Sequence, residues 1–234
     1  MENVKLKIEK NFQVGKDIFL MTLVGDTKSI KNPGEFINIT VPNYYLRRPI
    51  SVCKYGEDHV DILYKVLGRG TKDMSSFEKG MELDVLVGLG NGFDVSISKK
   101  PLLVGGGIGI APLFALAESF NKLNITPTLV YGARSKDDIV LLEELEKLCN
   151  VIVCTDDGSL GFKGNVIECI KNSNIDFKDA EGNVITNPEI VWQQTLSTEN
   201  PDDYANYLLA CKKYGIPFVT NTSETLYDVG ECDN

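Results

Sequence analysis

The chain has 234 residues, of which 43% are hydrophobic and 24% charged, values that are usual for a globular protein. Its 33 acidic and 24 basic residues give a formal net charge of -9, which argues against binding to the phosphates of a nucleic acid. No apolar run approaches the ~20 residues that span a membrane, and the amino terminus lacks a secretory signal, so we expect a cytoplasmic protein without membrane contacts.

Residues 1–99 contain short segments that are rich in β-branched residues or alternate in polarity, with turn residues between them. These segments predict six strands, at residues 4–14, 17–25, 35–41, 49–55, 59–66 and 82–89. Six strands at this spacing favour an antiparallel barrel or sandwich. One short helix is predicted within residues 70–80, where polar residues flank Met74 and Phe77.

Beyond Pro101, predicted strands alternate with predicted helices. A strand, a glycine turn and a helix are expected over residues 101–123, followed by segments of alternating type: strand 126–133, helix 137–148, strand 150–157 and helix 164–172. This alternation is typical of a parallel sheet with crossover helices. We therefore predict two domains: an antiparallel β-barrel at residues 1–99 and an α/β domain with a parallel sheet at residues 100–234.

The first predicted strand of the second domain ends in a glycine turn that contains Gly105, Gly106, Gly107 and Gly109. Glycine accepts positive φ and lets a ligand approach the backbone, and the free N–H groups of the following helix attract phosphate. Pro112 suits the first helical turn. The G-x-G-x-x-G spacing is absent, so a tight turn without a ligand remains an alternative.

The strand at residues 126–133 leads into Arg134, whose guanidinium can hold an anion. Together, the two strand ends favour a nucleotide site at one edge of the sheet.

The barrel carries a second group of candidate residues, in the sequence Arg47-Arg48-Pro49-Ile50-Ser51. An arginine fork can bind a diphosphate, and Ser51 can hydrogen-bond the same ligand. A charged edge strand without a ligand is the alternative. Further along, Leu63-Tyr64-Lys65 ends a strand and Gly68-Arg69-Gly70-Thr71 opens a helix, which would be a second phosphate-type terminus.

In their order and spacing, five motifs resemble the ferredoxin-reductase superfamily, namely RRPIS, LYK, GRGT, GLGNGF and LLVGGGIGIAPL. Within it, they most resemble the electron-transfer subunits of two-subunit, NAD-dependent dihydroorotate dehydrogenases. The similarity covers residues 1–166, and Leu89 stands where the family usually has proline. The resemblance implies FAD and NAD as cofactors, hydride transfer between them, and an FMN-containing catalytic partner subunit in a heterotetramer that serves pyrimidine biosynthesis.

The resemblance also implies two sets of binding residues. Those expected for FAD are Arg48, Pro49, Ile50, Ser51, Leu63, Tyr64, Lys65, Gly70 and Thr71. Those expected at the nicotinamide nucleotide are Gly105, Gly106, Gly107, Gly109, Ala111, Pro112, Arg134, Asp156 and Asp157. No catalytic side chain is implied, because the flavin itself carries the redox chemistry.

The last third of the chain departs from the family. The family carries a 2Fe-2S cluster on four cysteines that open as Cys-Gly-x-Gly-x-Cys, whereas Tyr227 stands here in the first ligand position. Gly230 and Cys232 match the pattern, and Cys232 is either a remnant ligand or a plain terminal cysteine. The six cysteines of the chain are widely spaced and form no CxxC pair. Because such a cluster needs four thiolates, this chain alone is not expected to hold one, and no metal site is predicted.

Two alternative functions remain open from the sequence. The missing cluster ligands favour a self-standing NAD(P)H:flavin or ferredoxin-type reductase. A divergent tail is also compatible with a non-catalytic chain that keeps only the fold. NADPH is open as well, because Arg134 and Lys136 could bind a 2′-phosphate.

Overall fold

The computed structural model describes residues 1–96, 100–173 and 190–194, with only the backbone in the last of these ranges. The strands are β1 (Glu2–Gly15), β2 (Ile18–Val24), β3 (Phe36–Ile39), β4 (Arg48–Tyr55), β5 (His59–Lys65), β6 (Glu82–Leu89), β7 (Leu102–Gly106), β8 (Thr128–Ala133), β9 (Asn150–Thr155), β10 (Phe162–Lys163) and β11 (Ile190–Gln194). The helices are α1 (Arg69–Met74), α2 (Ile110–Lys122), α3 (Leu142–Glu146) and α4 (Val166–Asn172).

The first six strands close into an antiparallel barrel in the order β1-β2-β5-β4-β3-β6. Alternate side chains point inward, so that Ile37 and Ile39 of β3 and Val85 and Val87 of β6 are completely buried. Met74 of α1 joins this interior, where Asn11 Nδ2 donates to its carbonyl oxygen at 2.9 Å. All six predicted strands are confirmed, and the barrel is the correct choice between the two architectures.

Strands β7 to β11 form a parallel sheet in the order β10-β9-β8-β7-β11. The chain runs from β7 outward through β8 and β9 to β10, and then adds β11 on the other side of β7. The carboxyl end of β7 therefore borders the point where strand order reverses, which is where open α/β sheets bind ligands. Strand β11 pairs in parallel with β7 from Ile190 to Gln194.

The helix predicted at 137–148 is wrong in its first half. Only α3 is α-helical there, after a short 3-10 helix at Lys136–Asp138. Leu141 between them has φ 56°, a left-handed conformation that interrupts the helix. The preceding residues are held away from helical geometry by tertiary bonds, since Val140 N donates to the Tyr131 hydroxyl at 3.0 Å. The short helix predicted within residues 70–80 is α1, which ends at Met74.

The barrel and the second sheet share one hydrophobic cluster. Cys53 of β4 and Leu63 of β5 lie in the same buried group as Leu113 and Phe114 of α2. Helix α2 packs directly against β4, and Lys54 Nζ lies 4.2 Å from the centre of the Phe114 ring. The two halves are therefore joined by an apolar interface.

The predicted division into residues 1–99 and 100–234 stays a prediction, because residues 97–99 and most of the chain beyond 173 lie outside the described part. Across the described ranges, no helix combines the length and apolar character needed to cross a bilayer.

Gly132 in β8 allows α4 to pack closely on the sheet. A Cβ at this position would overlap Val166 Cγ1 and lie 3.3 Å from Cys154 Sγ. We expect Gly132→Ala to lower the free energy of unfolding by about 1–3 kcal/mol through overpacking. The double variant Gly132→Ala/Val166→Ala should recover part of that loss, as thermal denaturation would measure. Equal destabilisation in both variants would contradict this explanation.

Candidate functional site

Arg48, at the start of β4, lies against the first turn of α1. A Cβ at Gly70 would be 2.6 Å from Arg48 Nη2, so the absence of a side chain at Gly70 makes room for the guanidinium. The guanidinium carbon lies 4.9 Å from the centre of the Tyr44 ring, and Nη1 donates to the Leu46 carbonyl oxygen. Two residues predicted from separate motifs are thus brought together, and Tyr44 is a neighbour that sequence reasoning missed.

The two adjacent arginines have different roles. Arg47 Nη2 lies 2.5 Å from Asp84 Oδ1 of β6, and Nη1 donates to the carbonyl oxygens of Asn38 and Asp84. Burial would raise the pKa of Asp84, but the bonds from Arg47 and Asn3 outweigh it and hold that pKa below its ordinary value. Arg48 makes no ion pair with any described residue. Arg47 is therefore bound within the barrel, whereas the charge of Arg48 remains for an anion such as a diphosphate.

The other predicted FAD residues of this region lie close by. Thr71 Oγ1 accepts from the N–H groups of Leu67 and Gly68 at 3.0 and 3.2 Å, so its hydroxyl orders the loop before α1. Pro49 is exposed, while Ile50 and Ser51 are partly buried on β4. These residues form one end of the barrel around Arg48.

The predicted triplet Leu63-Tyr64-Lys65 is divided between two environments. Tyr64 lies inside the barrel, 1% exposed, where its hydroxyl donates to Asn11 Oδ1 at 2.9 Å. Burial raises the pKa of this phenol. Leu63 belongs instead to the cluster shared with α2, and Lys65 Nζ lies 3.1 Å from Asp138 Oδ1. Only Leu63 and Lys65 therefore face the second sheet, because successive side chains of a strand point to opposite sides.

The glycine turn follows β7 at the carboxyl edge of the parallel sheet. Gly107–Gly109 forms a 3-10 turn, in which Gly107 has φ 53° and a Cβ built on it would meet no atom of the described residues outside the turn within 4 Å. Gly105 and Gly106 end β7 and pair with Tyr131 and Gly132 of β8. No described residue therefore blocks the approach of a ligand to the backbone at Gly107.

Ala111 and Pro112, which are predicted at the nicotinamide nucleotide, are both buried in the first turn of α2. They can support the shape of the glycine turn, while the turn itself presents its backbone outward.

Arg134, Asp156 and Asp157 lie exposed at the same edge, beyond the ends of β8 and β9. The N–H groups of the two aspartates donate to the carbonyl oxygens of Ala133 and Arg134, at 3.0 and 3.2 Å. Burial raises the pKa of Asp156 despite the nearby charge of Arg134, whereas hydrogen bonds from Ser159 lower that of Asp157. The parallel register therefore places all three at the same edge of the sheet as the glycine turn, with Arg134 one strand away from β7 and the two aspartates two strands away.

Sequence reasoning missed two further residues at this edge, Asp138 and Ser159. Asp138 pairs with Lys65, and Ser159 Oγ accepts from the Lys136 N–H at 2.8 Å. Asp137 and Asp138 resemble the acidic first turn of the helix predicted at 137–148, so the sequence did not indicate that Asp138 pairs with Lys65. Ser159 had no distinguishing signal in the sequence.

A metal centre finds no support among the described residues, since no three or more His, Cys, Asp or Glu side chains there are grouped to hold a metal ion. The described cysteines are free and buried, and burial raises the pKa of Cys149 and Cys154 to about 12. Thiolates, the form that binds iron, are disfavoured at both positions. The segment from Tyr227 to Cys232 lies outside the described residues.

The chain is similar to a protein family, to curated relatives and to solved structures. Residues 103–167 match the oxidoreductase NAD-binding domain family. The dihydroorotate dehydrogenase B (NAD(+)) electron transfer subunit of Fusobacterium nucleatum is 43% identical over 173 residues, covering 70% of this chain and 67% of that protein. The subunit of the same name from Streptococcus mutans is 37% identical over 179 residues, covering 74% and 69%.

Solved structures share the architecture. The NADH-dependent reduced ferredoxin-NADP oxidoreductase, described for flavin-based electron bifurcation, superposes with a TM-score of 0.76 at 25% identity, covering 97% of this chain and 79% of its own. Phthalate dioxygenase reductase gives a TM-score of 0.66 at 19% identity, covering 94% and 70%, and shows the fold alone. The barrel followed by a nucleotide-binding sheet is thus the fold of flavin-dependent reductases.

Proposed function

Because the chain belongs to the family of electron-transfer subunits of NAD-dependent dihydroorotate dehydrogenases, we propose that it passes electrons between NAD and a partner flavoprotein through a bound FAD. One observation carries the proposal: the Gly107–Gly109 turn packs against β5 of the barrel. The surface suited to the pyridine nucleotide therefore adjoins the surface suited to the flavin. Hydride transfer requires such contact, since reacting atoms must approach to ~3–3.5 Å.

The barrel supplies the residues for FAD. When bound, FAD supplies a two-electron hydride acceptor that can pass electrons on singly. Arg48 neutralises the diphosphate, for which it is suited because it has no carboxylate partner among the described residues. Gly70 gives space for that guanidinium, Ser51 offers a hydroxyl on the same strand, and Leu63 provides an apolar surface towards the second sheet.

The parallel sheet supplies the residues for NAD. The glycine turn presents backbone N–H groups and open space to the nucleotide, and Arg134 offers a cation at the adjacent strand end. The hydrophobic cluster shared by α2, β4 and β5 excludes water from beneath the two sites. Asp156 and Asp157 add negative charge beside Arg134, which favours NAD over a nucleotide with an additional phosphate.

The partner in this proposal is a catalytic subunit that oxidises dihydroorotate. We place FMN on that subunit and assign the complex as a heterotetramer, by analogy with the family. Pyrimidine biosynthesis in the cytoplasm is the expected setting, and the free thiols of the described cysteines are usual in a reducing compartment.

The test is the visible spectrum of the purified protein, recorded without oxygen before and after addition of NADH. Flavin absorption that bleaches with NADH is the expected result. Flavin that stays oxidised would favour a non-catalytic chain, and absence of flavin even after incubation with FAD would refute the proposal. Rapid turnover with soluble electron acceptors, without any gain from a dihydroorotate-oxidising partner, would favour the self-standing reductase instead.

A further inference from the structure

The turn formed by residues 135–140 connects the nucleotide edge to the barrel. It leaves the end of β8 directly after Arg134, and Lys16 N–H donates to the Asp137 carbonyl oxygen at 3.2 Å. Val140 packs against Gly15 of the β1–β2 hairpin, where a Cβ on Gly15 would be 2.7 Å from Val140 Cγ1. The 135–140 turn therefore contacts the barrel at its backbone and at its apolar side chain.

A charged contact adds a third connection. Lys65 Nζ lies 3.1 Å from Asp138 Oδ1, with 28% of the lysine side chain and 10% of the aspartate side chain exposed. Ser135 Oγ donates to the other carboxylate oxygen at 3.3 Å. Lys65 is the last residue of β5, the strand on which the glycine turn packs. The pair therefore joins the flavin side of the barrel to the nucleotide edge.

The opposite end of the 135–140 turn reaches the loop after β9. Lys136 N–H donates to Ser159 Oγ at 2.8 Å, and Ser159 Oγ in turn donates to Asp157 Oδ1 at 2.6 Å. A continuous series of bonds thus runs from β5 through Asp138 to the loop that carries Asp156 and Asp157. A shift of the turn would move these residues relative to the barrel.

We propose that the Lys65–Asp138 ion pair sets the position of the nucleotide edge against the barrel, and that Asp138 is a positioning residue for hydride transfer. The inference rests on the proposed function. Asp138 itself touches neither reacting group in this scheme; it acts by holding Lys65 and the 135–140 turn. A displacement of about 1 Å between donor and acceptor can slow a reaction by about two orders of magnitude, so a modest loosening here has a measurable effect.

The first test compares Asp138→Asn with Asp137→Asn, an equal charge change at the neighbouring exposed position. Anaerobic stopped-flow mixing of FAD-loaded protein with NADH follows the bleaching of flavin. We expect Asp138→Asn to slow the limiting rate about tenfold, with unchanged FAD content and NADH dissociation constant, and Asp137→Asn to match wild type. An unchanged rate in Asp138→Asn would overturn the inference.

Wild-type protein that binds FAD and is bleached by NADH establishes the proposed function independently of this pair. If NADH does not bleach the flavin of the wild type, the proposed function itself fails. If the wild type is bleached and Asp138→Asn is bleached at the same rate, only the positioning role of Asp138 fails.

The double variant Lys65→Met/Asp138→Asn separates positioning from stability. It removes both charges, so no unpaired buried charge remains, and its melting temperature should exceed that of Lys65→Met alone. The hydride-transfer rate should nevertheless stay as slow as in Asp138→Asn, because the connection is still missing. Recovery of the rate together with the melting temperature would show a merely structural role and overturn the inference.

Discussion

Replacing Arg48 with alanine should weaken FAD binding about 100-fold, whereas Arg47→Ala should leave FAD affinity nearly unchanged. The difference follows from their partners: Arg47 is bound to Asp84, while Arg48 has no ion pair among the described residues. Two hydrogen bonds to a charged group at about 1.5 kcal/mol each give about 3 kcal/mol, or about 100-fold. Titration of the apoprotein with FAD, followed by flavin fluorescence, measures the affinity.

Arg47→Ala serves as the control for loss of a positive charge in the same sequence motif. It should lower the melting temperature, because Asp84 loses its partner, without removing FAD. Equal loss of FAD in the two variants would argue that general charge, rather than the position of Arg48, holds the cofactor.

Substitution of Gly107 by alanine should slow reduction by NADH about tenfold or more at low NADH concentration, with FAD still bound. Among the described residues beyond the turn itself the new Cβ would meet no atom within 4 Å, so in the proposed function it would occupy the space through which the nucleotide approaches the turn. Each tenfold change corresponds to about 1.4 kcal/mol, roughly one hydrogen bond to a phosphate. Steady-state kcat/KM for NADH with an artificial acceptor reports the loss.

Gly80→Ala is a matched control for backbone strain. Gly80 also has positive φ, at 89°, and a Cβ there would likewise meet no atom within 4 Å in the described part of the chain beyond its sequence neighbours. Both variants should lose about 1 kcal/mol or slightly more of stability from the left-handed conformation. If Gly80→Ala slows NADH reduction as much as Gly107→Ala, strain alone accounts for the effect and the glycine turn is not the nucleotide site.

The architecture was predictable because local patterns determine it. Alternating burial in strands such as β3 and β6 gives a period of two, and the change to strand-helix alternation after Pro101 indicates a parallel sheet. The glycine turn was predictable for the same reason, since strand, glycine and helix follow each other directly. The helix expected at 137–148 failed because Asp138 and Val140 bond to distant residues, and local propensity does not include such contacts.

The detail of the site depends on pairings across the barrel. Only the family resemblance singled out Arg48; residue chemistry alone does not distinguish it from Arg47, because the carboxylate that binds Arg47, Asp84, lies on a strand 37 residues away. Residue chemistry likewise cannot assign Tyr64 to the interior, because strand register decides which residue of Leu63-Tyr64-Lys65 faces inward. The Lys65–Asp138 pair spans 73 residues and has no local signature.

The hydrophobic cluster shared by the barrel and α2 has a thermodynamic consequence. Domains joined by polar contacts can move and unfold separately, but here Cys53 and Leu63 are buried by residues of α2. Denaturation of either half would expose the apolar surface of the other, so the described parts should melt in a single cooperative transition. By mass action, a flavin bound to the barrel alone would then also raise the melting temperature of the nucleotide-binding half.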